Sequence, residues 1–174
     1  FHNNTNALMG LLDLAVATNN DWLKQFVREG YAHAVRNGIL RMGWFPAFAT
    51  PERYNRPAKW SHIMEPCCVA DMVVLSVKLS DAGLGDYWDN VDSIIRNYLI
   101  TQQMDDLDFM LKVSYVQAGS DGEKLMKGFV GGFCHGEPTT VWRDNPYGMS
   151  ACCTVNGAQS LYYAWHGITR FSRG

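Results

Sequence analysis

Residues 67–103 read CCVADMVVLSVKLSDAGLGDYWDNVDSIIRNYLITQQ, and the way this stretch divides sets the fold class. Cys67 to Ser80 reads as one helix. The turn Asp81-Ala82-Gly83-Leu84-Gly85 stops it, because glycine supplies backbone conformations that a helix does not use. Asp86 is placed to cap a second helix, Asp86 to Gln103, in which Tyr87, Val91, Ile94, Ile95 and Tyr98 share a face. Two helices joined by a short turn make an antiparallel αα-hairpin.

The same unit is legible upstream. Thr5 is a suitable N-cap, and Leu8, Leu11, Leu12 and Ala15 recur at helical spacing, which predicts a helix over Asn6 to Thr18. Asn19-Asn20 breaks it and Asp21 caps the next. That helix carries Trp22, Phe26, Val27, Tyr31, Ala34 and Val35 on its apolar stripe, and Asn37-Gly38 is expected to end it as a left-handed C-cap. Downstream, Cys152 to about Ile168 carries Val155, Ala158, Leu161, Tyr162 and Trp165 at helical spacing. Two long connections lie between: Ile39 to Met64, with three prolines, and Met104 to Ser150, rich in Gly and Asp. The second is expected to hold at most a short helix near Asp121 to Met126, and Asp105-Asp106-x-Asp108 reads as a solvated turn. About five substantial helices and almost no strand alternation make the chain all-α, built from antiparallel hairpins.

Composition narrows the functional classes. The chain has 174 residues, a size for one domain that buries about 70% of its unfolded surface. Apolar residues make up 47% and charged residues 18%, which excludes disorder as the main state. A net charge of -2 with scattered basic residues lacks the positive footprint of a nucleic-acid or membrane-surface binder. No apolar stretch approaches the roughly 20 residues that span a bilayer, and no basic-then-apolar leader opens the chain. The start at Phe1 and the stop at Arg173-Gly174 read as the ends of a piece of something longer. Aromatic residues reach 13%, a level that suits ring-bearing ligands such as sugars as well as core packing.

Chemistry is concentrated in the cysteines. Five occur: Cys67, Cys68, Cys134, Cys152 and Cys153. An odd number argues against a disulfide framework, and adjacent cysteines are strained partners for each other. Free cysteines slightly favour a cytoplasmic setting. Both vicinal pairs sit at predicted helix starts, where backbone N–H groups and the helix dipole favour thiolate. Two readings stand side by side. Each cysteine packs as a small apolar side chain, or the two helix starts converge and their sulfurs, with Glu65, surround one soft cation, a set that suits tetrahedral zinc. His33 reads as structural, whereas His62 and His135, in the long connections, are candidates to line a site. Loop carboxylates Glu52, Glu137 and Asp144 are the candidates for acid–base work.

Glu65-Pro66-Cys67-Cys68-Val69-Ala70-Asp71-Met72, followed by Gly85-Asp86-Tyr87-Trp88-Asp89 and Arg96-Asn97-Tyr98-Leu99, resembles the Glu-x-Cys helix hairpin of glycoside hydrolase family 127, the β-L-arabinofuranosidase-like proteins. Ser150-Ala151-Cys152-Cys153-Thr154-Val155-Asn156-Gly157-Ala158 is similar to that family's Cys-Cys-x-x-Asn motif. The resemblance covers about Ile39 to Gly174. It implies that residues 1–174 are about half of an (α/α)6 toroid, with flanking helices and β-sandwich domains missing. It implies zinc held by Glu65, Cys67, Cys152 and Cys153, with Cys152 as nucleophile. Glu52 would be the acid/base of a retaining glycoside hydrolase acting on L-arabinofuranoside-like or related polysaccharide-derived sugars, and Glu137 is the reserve. His62, His135, Trp44 and Trp142 are the expected substrate-binding residues, with Tyr54 and Trp60 as further stacking candidates. Expected partners are a carbohydrate substrate and either the missing part of the chain or a second copy of it. Nucleic acid and membrane are not expected. The rival readings are a carbohydrate-binding or scaffold toroid with a structural zinc, and another toroid enzyme such as a polysaccharide lyase.

Overall fold

A computed structural model describes residues 1–47, 64–113, 117, 119–134 and 152–169. Among these residues the chain is all-α, with seven α-helices, and the only β-type pairing is in isolated bridges. The helices are α1 (His2–Ala17), α2 (Asp21–Asn37), α3 (Pro66–Asp81), α4 (Trp88–Asn97), α5 (Leu107–Val113), α6 (Asp121–Phe129) and α7 (Cys152–Gly167). Short 3-10 turns at Leu40–Met42 and Leu99–Gln102 follow α2 and α4.

Helix α3 is the centre of the molecule. Thirteen of its sixteen residues are buried, and it packs against α1, α4 and α7. Asp71 of α3 meets His2 and Thr5 near the start of α1, and Lys78 pairs with Asp13 further along. The two helices therefore run parallel. At the start of α7, Cys152, Cys153 and Asn156 meet Cys67, so α7 joins them with its N-terminus at the same end. Helix α2 returns antiparallel to α1. Tyr31 on α2, Ser76 on α3 and Asn90 on α4 form one buried polar link, with separations of 2.7 and 2.8 Å. Burial raises the Tyr31 pKa above its ordinary value.

Several helix ends differ from the sequence reading. Helix α1 begins at His2, and Thr5 lies inside it, buried, with its hydroxyl donating to Asp71 rather than capping. Asn20 caps α2 by accepting from the Leu23 N–H, while Asp21 sits in the first turn and pairs with Lys24. Gly38 is extended, not left-handed. A Cβ there would lie 2.4 Å from the Phe45 ring, so glycine is required for close approach. The N-cap of α4 is Tyr87 rather than Asp86, which stands one residue before it with its carboxylate accepting from Trp88 N–H at 3.1 Å. That helix stops at Asn97, where Tyr98 leaves helical geometry, short of Gln103.

The stretch after Met104 holds more helix than expected. Asp106 accepts from Phe109 N–H at 2.9 Å, so the acidic run opens α5. Ser120 caps α6, which reaches Phe129. Trp22 and Phe26 on α2 stack on each other in solvent rather than in the core. On α7 the expected apolar stripe is turned outward: Val155, Tyr162 and Trp165 are exposed. The buried face is Cys153, Gly157, Ser160, Ala164 and Gly167. Small residues let the helix backbone come close to its neighbours, and a Cβ on Gly157 would lie 2.2 Å from the Phe133 ring.

Candidate metal centre

The local sequence explains how the carboxylate and first thiol are aimed. Pro66 occupies the first helical position of α3, where its missing N–H costs nothing. A residue before proline is held in extended backbone, and Glu65 adopts φ -129° and ψ 124°. Glu65 thus stands just outside the helix, with Cys67 and Cys68 in the first turn behind it. Met64 is buried and bridges to Pro46, which anchors the approach. Cys152 and Cys153 are the first two residues of α7. Both helix N-termini therefore present their positive dipole ends to one region.

Four groups meet there. The ligand atoms of Glu65, Cys67, Cys152 and Cys153 all lie within 4.8 Å of one another. Cys67 Sγ is 3.4 Å from Cys152 Sγ and 3.0 Å from Cys153 Sγ. Glu65 Oε1 lies 4.0 Å from Cys152 Sγ and 3.8 Å from Cys153 Sγ. Ligand sulfurs about 2.3 Å from one tetrahedral zinc stand about 3.8 Å apart, so the observed spacings surround a point of suitable size. The cluster could hold a metal ion. Three soft sulfurs and one carboxylate oxygen favour a thiophilic cation over calcium or magnesium, which take all-oxygen shells.

Without a cation Cys67 and Cys152 resist ionisation. Cys67 is pushed well above the usual thiol range, first by its hydrogen bond with Cys153 and then by burial. Burial, followed by the hydrogen bond with Cys67, raises Cys152 as well. Cys67 and Cys153 are buried, and Cys152 is the exposed member. Cys68, predicted beside the ligands, stays outside the set, with its Sγ 4.0 Å from Glu65 Oε2. Burial and then the Glu65 charge raise it. Cys134 is fully buried and donates to Gln102 Oε1 at 3.2 Å, which is the core role.

Two polar groups lie around the cluster: Asn156, the last residue of the Cys-Cys-x-x-Asn motif, and Asp71, to which the sequence reading gave no role. Asn156 Nδ2 donates to Cys67 Sγ at 3.2 Å, one turn after the vicinal pair it follows. Asp71, one turn after Cys67, is buried and lies 2.6 Å from both His2 Nδ1 and Thr5 Oγ1. The helical spacing from the cysteines was the available signal for both. A cleft of about 310 Å³ runs between α1, α3 and α7, with Asn6, Asp71, Asn156, Gln159 and Tyr163 among its walls. Asn156 joins this cleft to the cluster.

Trp44 is half-buried and packs against the main core, not as an open stacking platform. His33 is exposed, with Asn37 bonded to its ring and carbonyl. Glu52, His62, His135, Glu137, Trp142, Asp144, Tyr54 and Trp60 lie outside the described residues. No protein-family model, no curated protein and no solved structure matches the chain.

Proposed function

We propose that the chain is part of an (α/α)6-toroid catalytic domain of a zinc-dependent, cysteine-nucleophile glycoside hydrolase. The substrates proposed are L-arabinofuranosides or related polysaccharide-derived sugars. The observation that carries the reading is the convergence of Glu65, Cys67, Cys152 and Cys153 from two helix starts that are 85 residues apart from Cys67 to Cys152. The resemblance implied the same four residues. Three parallel helices with their N-termini together, the first two each followed by a return helix, suit the toroid. The cleft walled by amide and phenol side chains suits a hydroxyl-rich ligand.

When bound, zinc supplies the charge that keeps the sulfurs deprotonated at neutral pH. Cys152 is the sulfur open to solvent and so the one a sugar can reach. Its Sγ attacks the anomeric carbon from the face opposite the leaving oxygen. That bond breaks as Glu52 protonates the oxygen, leaving a sugar–sulfur bond. Glu52 then takes a proton from water, whose oxygen attacks the same carbon and releases the thiolate. Two inversions give retention. Asn156 holds Cys67 in place by donating to its sulfur.

One observation favours a second reading. Glu65 and three cysteines complete a four-donor shell, the pattern of structural zinc sites, which would make the domain a non-catalytic scaffold. Elemental analysis of the wild type, Cys67→Ser and Cys152→Ser, with a nitrophenyl arabinofuranoside assay on each, tests both. About one zinc per chain, lost in both variants together with turnover, supports the hydrolase. Zinc without turnover on any furanoside selects the scaffold, and absence of zinc sinks both.

A further inference from the structure

Cys152 differs from its neighbours in being reachable. Its sulfur is exposed, while Cys67 and Cys153 are buried directly behind it. The Cys67 thiol donates to Cys152 Sγ at 3.4 Å, and a disulfide bond is about 2.05 Å long, so a shift of little more than 1 Å would join them. The two belong to different helices, which frees the bridge from the strain of a vicinal pair. Cys153 is nearer to Cys67, at 3.0 Å, but is buried and so out of reach of an external disulfide, and Cys134 and Cys68 have other surroundings, Gln102 for the first and the far oxygen of Glu65 for the second.

We propose that, in the cation-free protein, Cys152 is an exchange site for small neutral disulfides and Cys67 is its resolving thiol. The product is a Cys67–Cys152 disulfide that ties α3 to α7 and removes two of the four donors. In the first step the thiolate fraction of Cys152, which burial keeps small and so makes the step slow, attacks one sulfur of the disulfide RSSR. A Cys152–SR bond forms, the S–S bond breaks, and one RSH leaves carrying the Cys152 proton. In the second step Cys67 sulfur attacks Cys152 sulfur. The Cys67–Cys152 bond forms and a second RSH leaves carrying the Cys67 proton. Two thiols are oxidised and one disulfide is reduced to two thiols, so the electrons balance.

The choice of a neutral reactant follows from the Glu65 carboxylate, 4.0 Å from Cys152 Sγ, which repels anionic disulfides such as oxidised glutathione. Resolution is favoured because Cys67 is already in contact, whereas a second external thiol must diffuse in. The consequence for metal rests on the proposed metal centre: a bound cation occupies both sulfurs, so exchange waits for its release.

The test uses hydroxyethyl disulfide on the whole chain, before and after removal of metal with a chelator, read by intact mass and peptide mapping. The expected product has lost two hydrogens and joins the Cys67 peptide to the Cys152 peptide. Cys67→Ser should stop at a single adduct on Cys152, and Cys134→Ser should behave as wild type. Zinc at about a hundred times its Kd should slow the reaction about a hundredfold, because only the metal-free fraction reacts. Persistence of free thiols, an unresolved adduct in the wild type, or a bridge that involves Cys153, Cys68 or Cys134 overturns the exchange site. Zinc content of the same sample separates the two ideas. Zinc without the bridge leaves the metal centre and removes the exchange site, whereas the bridge in a chain that never binds zinc does the reverse.

Discussion

Asn156 and Asp71 show how single side chains can set the behaviour of a site without belonging to the ligand set. Asn156 donates to Cys67 Sγ. Groups in this outer position typically change metal affinity by about 10–100-fold. Asn156→Ala is expected to weaken zinc binding by about that factor in a competition titration with a fluorescent chelator, with unchanged helical circular dichroism. Asp71 makes its own test through pH. Burial raises its pKa above the ordinary 3.8 against the opposing pull of Thr5 and His2, and Glu65 adds to the rise. A carboxyl with a raised folded pKa binds more protons folded than unfolded, so stability falls as pH climbs from about 3.8 to the folded value and is flat above it. Urea unfolding of wild type beside Asp71→Asn should show this slope only in the wild type. A pH-independent difference between them would mean that Asp71 stays charged against His2. The cluster was legible as one of two readings, because cysteine pairs and a carboxylate at helix starts are unusual in residue type, whereas the set Glu65, Cys67, Cys152 and Cys153 came from the family resemblance. Asn156 was marked only as a motif residue with no contact assigned, and Asp71 was not marked, because a polar residue within a helix reads the same whether it faces a sulfur or solvent until the helix is rotated into place.

Element by element, the hairpins were legible where a helix is long enough to show its period. Helix α3 was found although its apolar residues cover every side, because Gly83 and Gly85 mark its end. Helix α5 was missed: seven residues give less than two turns, too little for a stripe to emerge. Helix α7 was found at its correct length but with the wrong face inward. Bulk favours Val155, Tyr162 and Trp165 as core residues, yet close packing is achieved by Gly157, Ser160, Ala164 and Gly167. Gly157→Ala tests that account. The new methyl would collide with the Phe133 ring, and overpacking of this kind costs about 1–3 kcal/mol. The expected result is a loss of that size in urea unfolding, together with weaker zinc binding because the start of α7 is displaced. An unchanged midpoint would show that α7 has room to spare.

At the scale of the whole molecule, the proposed zinc is a clamp between α3 and α7, segments joined by a long stretch of chain. A ligand bound only by the folded state at a hundred times its Kd adds about 2.7 kcal/mol. At about 2–4 °C per kcal/mol for a chain of this size, chelation should lower Tm by roughly 5–11 °C. Differential scanning fluorimetry with and without chelator should show that drop in wild type and none in Cys67→Ser. The all-α class and the order of hairpins were legible in the sequence, whereas the parallel set of α1, α3 and α7 was not. It depends on contacts such as Asp13 with Lys78 that no local pattern announces.

Helix α3 carries one more consequence. Between Pro66 and Val77 every residue is buried, so the helix has no wet side on which substitutions pass without effect. Most helices drift on their solvent face while the core face is held, and their ancestry survives as a half-remembered stripe. Here neighbours press on all sides at once, with Cys67 tied at one end and Ser76 near the other. In any lineage descended from this chain, α3 should be the last segment to become unrecognisable.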